Sequence, residues 1–112
     1  MVYYIVTWSF SFVNAEAKAE LDALPIDVRA SFERIVQLVQ TVGLGRVHEP
    51  YIKHLEDRLW EMRLKGRDGI ARSLYVTASG RRVVILRTFV KKTQKTPRRE
   101  IELARRRAKE VT

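Results

Sequence analysis

Hydrophobic and polar positions follow different periods in the two parts of the chain. The opening run Val2 to Trp8 is rich in β-branched and aromatic residues, which favours a strand. Apolar residues then recur every three or four positions, as in amphipathic helices. Asn14 is placed to cap a first short helix, which Pro25 interrupts. The apolar face of that helix is formed by Ala17, Leu21 and Leu24.

A second helix is predicted by a longer apolar stripe that closes at Gly43. The stripe consists of Val28, Phe32, Ile35, Val39 and Val42. Two helices joined so closely predict an αα-hairpin, and we interpret the stripe as core rather than as a groove for a partner.

From Leu59 the period changes to two, which is the period of a strand. Trp60, Met62 and Leu64 are expected to face the core, and Glu61, Arg63 and Lys65 the opposite side. The turn sequences at 66–69 and 78–80 predict two more strands, over 70–77 and 82–90. The last of these is apolar on both faces apart from Arg87, which is typical of a central strand.

A basic loop over 91–97 leads to a final helix, for which Thr96 is the expected cap and Pro97 lies in the first turn. The apolar stripe of that helix is thin, and its members are Ile101, Ala104, Ala108 and Val111. Arg105, Arg106 and Arg107 form a run that is either a solvated helix face or a nucleic-acid contact.

The predicted order is therefore β-α-α-β-β-β-α in one domain spanning residues 1–112. A three-stranded antiparallel meander, joined by the first strand, predicts an α+β fold. The helices are expected on one face of the sheet, which leaves the other face free as a basic groove.

Net charge indicates the class of partner. The chain of 112 residues has 22 lysines and arginines against 13 acids, a net charge of +9 at pH 7. Residues 1–42 hold three bases and five acids, a net charge of −2, and the remainder holds 19 bases and eight acids, a net charge of +11. A surplus concentrated in one part of a small domain favours nucleic acid over a membrane or an acidic protein.

Several kinds of chemistry are excluded or disfavoured. The chain has no cysteine, so it has no disulfide, thiolate metal site or cysteine nucleophile, and a reducing cytoplasmic location is expected. No apolar run is long enough to span a bilayer, and the N-terminus does not resemble a signal peptide. His48 and His54 match no standard ligand spacing, and Gly66 and Gly69 form no phosphate loop. We therefore expect no membrane, no metal and no cofactor.

The meander resembles a known family. The stretches Leu59 to Arg63, Ile70 to Tyr75 and Val84 to Pro97 resemble the HigB-like, phage-derived branch of the RelE/ParE toxin superfamily. The Lys-Lys-x-x-Lys-Thr-Pro exit of the meander, residues 91–97, is the most specific part. The resemblance implies a RelE-like fold and a type II toxin that cleaves mRNA in the ribosomal A site. It also implies neutralisation by a HigA-like antitoxin with a helix-turn-helix domain.

RNA cleavage without a metal needs a base for the 2′-hydroxyl, an acid for the departing 5′-oxygen and cations for the phosphorane. Lysine and arginine can provide these groups, because neighbouring cations and partial burial lower a lysine pKa.

The resemblance places catalytic or phosphate-binding roles on Arg63, Arg72, Lys91, Lys92 and Lys95. Further RNA contacts are expected from Lys65, Arg67, Tyr75, Arg87, Arg98 and Arg99. RelE-type relatives stack a tyrosine of the final helix on a base, and here no aromatic follows Phe89. Tyr75 is then a candidate for stacking, whereas Trp60 by its parity belongs to the core.

Simpler interpretations remain for these cations. They would solubilise an exposed face of the sheet or form ion pairs with Glu61. Arg72 differs from the others because it lies on the same side of its strand as apolar residues, so it is expected to be ion-paired or to lie beside a ligand groove. A gyrase-inhibiting, ParE-like toxin and a non-enzymatic nucleic-acid-binding module are the alternative functions, since one fold hosts several activities.

Overall fold

A five-stranded sheet and three α-helices make up most of residues 7–112, the part of the chain that this computed structural model describes. The strands are β1 (Ser9–Phe12), β2 (Ile52–Glu56), β3 (Leu59–Gly66), β4 (Gly69–Ala78) and β5 (Arg82–Val90). The helices are α1 (Ala15–Asp22), α2 (Ile26–Val42) and α3 (Arg98–Ala108), with a 3₁₀ turn at Leu44–Arg46.

The sheet order is β1-β5-β4-β3-β2. Strands β2 to β5 form an antiparallel meander, and β1 pairs in parallel with β5. The α+β class and the interior position of β5 are confirmed, but the meander has one strand more than predicted, because the predicted order contains no strand between α2 and Leu59. The predicted first strand Val2 to Trp8 lies mainly outside the described residues, and within them β1 begins only at Ser9.

The helical hairpin follows its sequence signals closely. The Asn14 side chain accepts a hydrogen bond from the Ala17 backbone N–H at 2.9 Å and caps α1. Gly43 ends α2 with a φ of 90°, a conformation that suits glycine. The predicted stripe of α2 is buried except for Val42, which is 41% exposed at the last turn.

Each face of the sheet has its own hydrophobic cluster. The α2 stripe packs with Met62, Leu64, Tyr75 and Ile85 on one face. On the other face, Leu74, Val76 and Leu86 pack against Ile101 and Ala104 of α3. The prediction that all helices lie on one face is therefore wrong, because β4 and β5 are apolar on both sides and each side needs cover. The basic groove is confined to the part of that face beyond α3.

Close packing of β3 on α2 gives a stability prediction. A Cβ added at Gly66 would lie 2.5 Å from Cγ2 of Val28, whereas nothing lies within 4 Å of one added at Gly69 across the same turn. We expect Gly66→Ala to lower the free energy of unfolding by about 1–3 kcal/mol because β3 and α2 must separate. Urea denaturation measures this, with Gly69→Ala as the matched control. Equal midpoints for the two variants would contradict the prediction.

Candidate active site

A cleft of about 370 Å³ opens where β2, β3 and β4 meet the loop 91–97 and the start of α3. We call it the central cleft. Three of the predicted catalytic cations, Arg63, Arg72 and Lys95, line it together with Lys53, Glu61 and Thr96. Residues far apart in the sequence thus form one basic depression with a single buried acid.

The floor of the cleft is a buried ion pair between Glu61 and Arg72, each 1% exposed. The Arg72 Nε atom lies 3.6 Å from the Glu61 carboxylate. The Thr96 hydroxyl donates to Glu61 at 2.8 Å and accepts from Nη1 of Arg72 at 2.5 Å. Nη2 of Arg72 donates to the Gln94 carbonyl oxygen at 2.6 Å. Arg72 is therefore paired, and its guanidinium fixes the loop to the sheet.

This arrangement also changes the predicted start of the last helix. Thr96 does not cap α3; Pro97 occupies the cap position, where no side chain makes a capping hydrogen bond. The reason is that the Thr96 hydroxyl is already bound to Glu61 and Arg72.

Arg63 lies opposite Arg72 in the β3–β4 register, but its side chain is 25% exposed. Its Nε atom is 3.8 Å from the Glu61 carboxylate, and within the described residues that nitrogen makes no hydrogen bond. A guanidinium has five N–H donors in a fixed fork that suits phosphate oxygens. Arg63 therefore keeps donors for an anion in the cleft.

A second depression of about 370 Å³, which we call the lysine pocket, shares Gln94 with the central cleft. Lys91 and Lys92 line it. Lys91 is partly buried, and its backbone N–H donates to the Ile70 carbonyl oxygen at 2.7 Å. Burial lowers the pKa of the Lys91 ammonium, and the positive charges of Arg72 and Arg63 lower it further. The shift has the direction predicted for a lysine in a basic cluster.

Helix α3 is attached to the β2–β3 turn by ion pairs. Arg98 donates to Glu56 at 2.6 Å, and Arg105 reaches Asp57 at 2.7 Å and Glu56 at 3.0 Å. The hydrogen bond from Arg105 lowers the pKa of the Glu56 carboxyl, desolvation opposes it, and the hydrogen bond from Arg98 lowers the pKa further. Arg98, a predicted RNA contact, is therefore engaged with an acid at the rim of the cleft.

Arg87 also forms ion pairs, with one acid from each of two helices. Its guanidinium lies 2.8 Å from Glu20 of α1 and 2.9 Å from Glu100 of α3. Glu20 in turn accepts hydrogen bonds from Arg107 and from the Thr88 backbone N–H. Partial burial opposes ionisation of Glu20, but these bonds lower its pKa overall. Arg87 therefore joins α1, β5 and α3, and its role as an RNA contact stays a prediction.

The two aromatic side chains considered for base stacking have the opposite exposure from that predicted. Tyr75 is 1% exposed in the α2-facing core, where burial raises its pKa, so it cannot stack on a base. Trp60, expected in the core, is 38% exposed and lies 4.9 Å from the His54 ring. The cross-strand neighbour of Trp60 on the outer strand β2 is His54.

The remaining predicted cations form an open positive surface around the site. Lys65, Arg67, Lys92, Lys95 and Arg99 are exposed, and among the described residues none has a carboxylate within 4 Å of its charged group, although the Arg67 backbone N–H donates to Asp27 at 2.6 Å. Unpaired surface cations retain their full charge toward a diffusing polyanion. The +11 surplus of the second part of the chain is thus partly free to attract one.

The histidines belong to the surface. His48 is exposed before β2, and the Nε2 atom of His54 lies 2.8 Å from the Asp57 carbonyl oxygen. Residues 7–112 contain no group of three or more His, Cys, Asp or Glu side chains placed to hold a metal ion. In the same range, no helix is long and apolar enough to cross a membrane.

Sequence reasoning identified the cations but underestimated their partners. Glu61 was considered only as a possible partner of strand-borne cations, and Gln94 and Lys53 were not considered at all. The shared parity of Glu61 and Arg63 was an available signal, because it places both side chains on one face of β3. No local signal indicated Gln94, since it binds Arg72 through its backbone carbonyl.

Comparisons with known proteins agree with this architecture. Residues 19–109 match the model of the family described as phage derived protein Gp49-like. The structure is similar to that of a mutant of the E. coli toxin RelE in the free state, with a TM-score of 0.60 and 15% identity. The alignment covers 95% of this chain and 99% of that one, and at this identity it shows the fold alone. No curated protein sequence matches the chain.

Proposed function

Because the chain belongs to the Gp49-like family of phage-derived proteins, within the RelE-like toxin superfamily, we propose that it is the toxin of a type II toxin–antitoxin pair. We propose further that it is an endoribonuclease that cleaves mRNA in the ribosomal A site and so stops translation. The similarity to the structure of the toxin RelE supports the scaffold of this proposal.

The observation that carries the proposal is the juxtaposition of Arg63 and Lys91 beside the Glu61–Arg72 pair. The Arg63 side chain is 25% exposed, so its terminal Nη groups can donate to a phosphate, and Lys91 has a lowered pKa. A lysine with a lowered pKa is more often neutral, and only the neutral amine can accept a proton. The phosphate-binding cation and the candidate base therefore lie in neighbouring depressions that share Gln94.

In the proposed reaction, Lys91 removes the proton of a ribose 2′-hydroxyl. The 2′-oxygen attacks the adjacent phosphorus, and the bond to the 5′-oxygen breaks as a protonated group supplies the departing oxygen with a proton. The products are a 2′,3′-cyclic phosphate and a 5′-hydroxyl end. Arg63 stabilises the charge on the phosphorane, and the exposed Lys92 and Lys95 attract the backbone.

We assign Arg72 a positioning role rather than contact with the scissile phosphate. Its guanidinium is buried and bound to Thr96 and Gln94, which hold the loop that carries Lys91 and Lys95. The loop has no helix or strand of its own over 91–97, so this anchor determines where the lysines lie relative to Arg63.

The proposal includes a partner encoded beside the toxin, a HigA-like antitoxin with a helix-turn-helix domain. Acidic side chains of such a partner would complement the unpaired cations Lys65, Arg67, Lys92, Lys95 and Arg99. Co-purification of the products of the two neighbouring reading frames tests this part of the proposal.

Cleavage is tested with purified protein, a defined mRNA and ribosomes. We expect primer extension to detect new 5′ ends within the translated region only when ribosomes are present. Arg63→Ala should lower the rate by about 10²- to 10³-fold, because one donor to the developing charge is lost. Arg106→Ala, which removes an exposed cation of α3 outside the cleft, is the matched control.

Growth arrest without any new transcript ends would contradict the nuclease. Inhibition of supercoiling by purified gyrase in the presence of the protein would then favour the gyrase-inhibiting alternative. Binding to RNA without cleavage, unaffected by Lys→Arg changes at positions 91, 92 and 95, would favour the simple binding module.

A further inference from the structure

A second large depression lies outside the central cleft. It has a volume of about 590 Å³ and lies between α2, the residues before β2 and the C-terminal half of β3. We call it the edge groove. It is lined by polar and aromatic side chains from three segments: Arg34 and Gln37 of α2, Tyr51 directly before β2, and Arg63 and Lys65 of β3. Its volume falls within the range of about 300–1,000 Å³ that small-molecule sites occupy.

Tyr51 is the aromatic residue of this groove, and it is 48% exposed. Its backbone is held to β3, because the Arg63 backbone N–H donates to the Tyr51 carbonyl oxygen at 2.9 Å. A half-exposed ring at a held backbone position can offer a face to a nucleobase, and stacking of this kind tolerates any base. The aliphatic side chains of Ile35 and Leu38 line the same groove and add apolar surface for a ring.

The charges of the groove favour a phosphodiester chain. Arg34 and Lys65 are exposed, and neither has a carboxylate within 4 Å among the described residues. No Asp or Glu lines the groove, whereas Gln37 and Thr41 offer neutral hydrogen-bonding groups. A base platform beside unpaired cations is the combination by which proteins bind single-stranded nucleic acid.

Arg63 connects the edge groove to the central cleft, because its side chain lines both depressions. A strand whose phosphate lies on Arg63 can therefore place the next nucleotide toward Tyr51 without crossing the domain. The two depressions thus form one track along the edge of β3.

From this continuity we propose that the edge groove is a nucleotide subsite that binds the RNA residue next to the scissile phosphodiester, with its base stacked on Tyr51. The inference rests on the proposed function in one respect, that the track holds a substrate. Arg34 and Lys65 bind the phosphate of that residue, and the groove sets how firmly the strand is held while Arg63 acts in the central cleft and Lys91 acts from the lysine pocket beside it.

The test uses a fluorescein-labelled 2′-O-methyl oligoribonucleotide of random sequence, which cannot be cleaved because its 2′-hydroxyls are blocked. We expect the wild-type protein to bind it and Tyr51→Ala to weaken binding by about 5- to 100-fold, the loss of one stacked base. Tyr51→Trp should restore binding, since stacking needs a ring and not the phenol hydroxyl. Trp60→Ala, which removes another exposed aromatic outside the groove, should bind as the wild type does.

Thermal melting of each variant separates loss of binding from loss of folding. Absence of oligonucleotide binding by the folded wild type, or equal affinity of wild type and Tyr51→Ala, overturns the subsite. So does a Tyr51→Ala variant that loses affinity for the antitoxin but not for RNA, because the groove would then be a protein interface. RNA binding that depends on Tyr51 in a protein that never cleaves mRNA would instead contradict the proposed nuclease and leave the subsite standing.

Discussion

Replacing Glu61 by alanine lowers the free energy of unfolding by about 3–5 kcal/mol, the expected cost of leaving a buried charge without its partner. Arg72 is 1% exposed, and Glu61 is the carboxylate paired with it among the described residues. Thr96 loses a hydrogen-bond acceptor in the same variant, so the loop 91–97 is held to the sheet less firmly, by Arg72 alone at this point. Urea denaturation followed by circular dichroism measures the change.

Two further variants test whether this loss of stability has an electrostatic origin. Glu102→Ala removes an exposed carboxylate from an i,i+4 pair with Arg98 and should change stability by about 0.5 kcal/mol or less. The double variant Glu61→Leu with Arg72→Leu removes both buried charges and should recover much of the stability. It should not recover cleavage, because Thr96 and Gln94 then lose their anchor. A double variant that is as unstable as Glu61→Ala would contradict an electrostatic origin of the effect.

The helices and the last three strands were predictable because each carries a strong local signal. Asn14 caps α1 and Gly43 ends α2 as the sequence indicates. Strand β5 spans Arg82–Val90, as its apolar run predicts. Strand β2 was missed because it is a short outer strand with Lys53 and His54 at its centre, and polar residues on an edge conceal the alternation.

The cations of the candidate site were predictable from the sequence, but their ion pairs and their exposure were not. The sequence shows the bases along β3, β4 and the loop 91–97, but pairing depends on contacts between distant residues. Arg87 and Glu20 are separated by 67 positions and meet only because α1 packs beside β5. Tyr75 was misplaced because strand alternation does not tell which face a helix covers, and here α2 covers its side of β4.

Lys91→Arg should lower the rate of mRNA cleavage by about 10²- to 10⁴-fold, the range for loss of a general base. Arginine keeps the positive charge but does not deprotonate in proteins, so RNA binding should persist while catalysis fails. Lys92→Arg and Lys95→Arg keep the charge at exposed positions and should change the rate by about twofold or less. Single-turnover cleavage on mRNA-programmed ribosomes measures all three rates.

The pH dependence of the cleavage rate of the wild type follows from the ionisation of Lys91. The neutral amine of Lys91 is the active form, so the rate should rise with pH and level off above the pKa of that lysine. Because burial and then the charges of Arg72 and Arg63 lower this pKa, the plateau should begin at a lower pH than an ordinary lysine would give. Arg63→Ala removes one of these charges, so its residual activity should need a higher pH to level off. A profile that does not move in Arg63→Ala, or full activity in Lys91→Arg, would exclude Lys91 as the base and transfer that role to whichever of Lys92 and Lys95 fails as arginine.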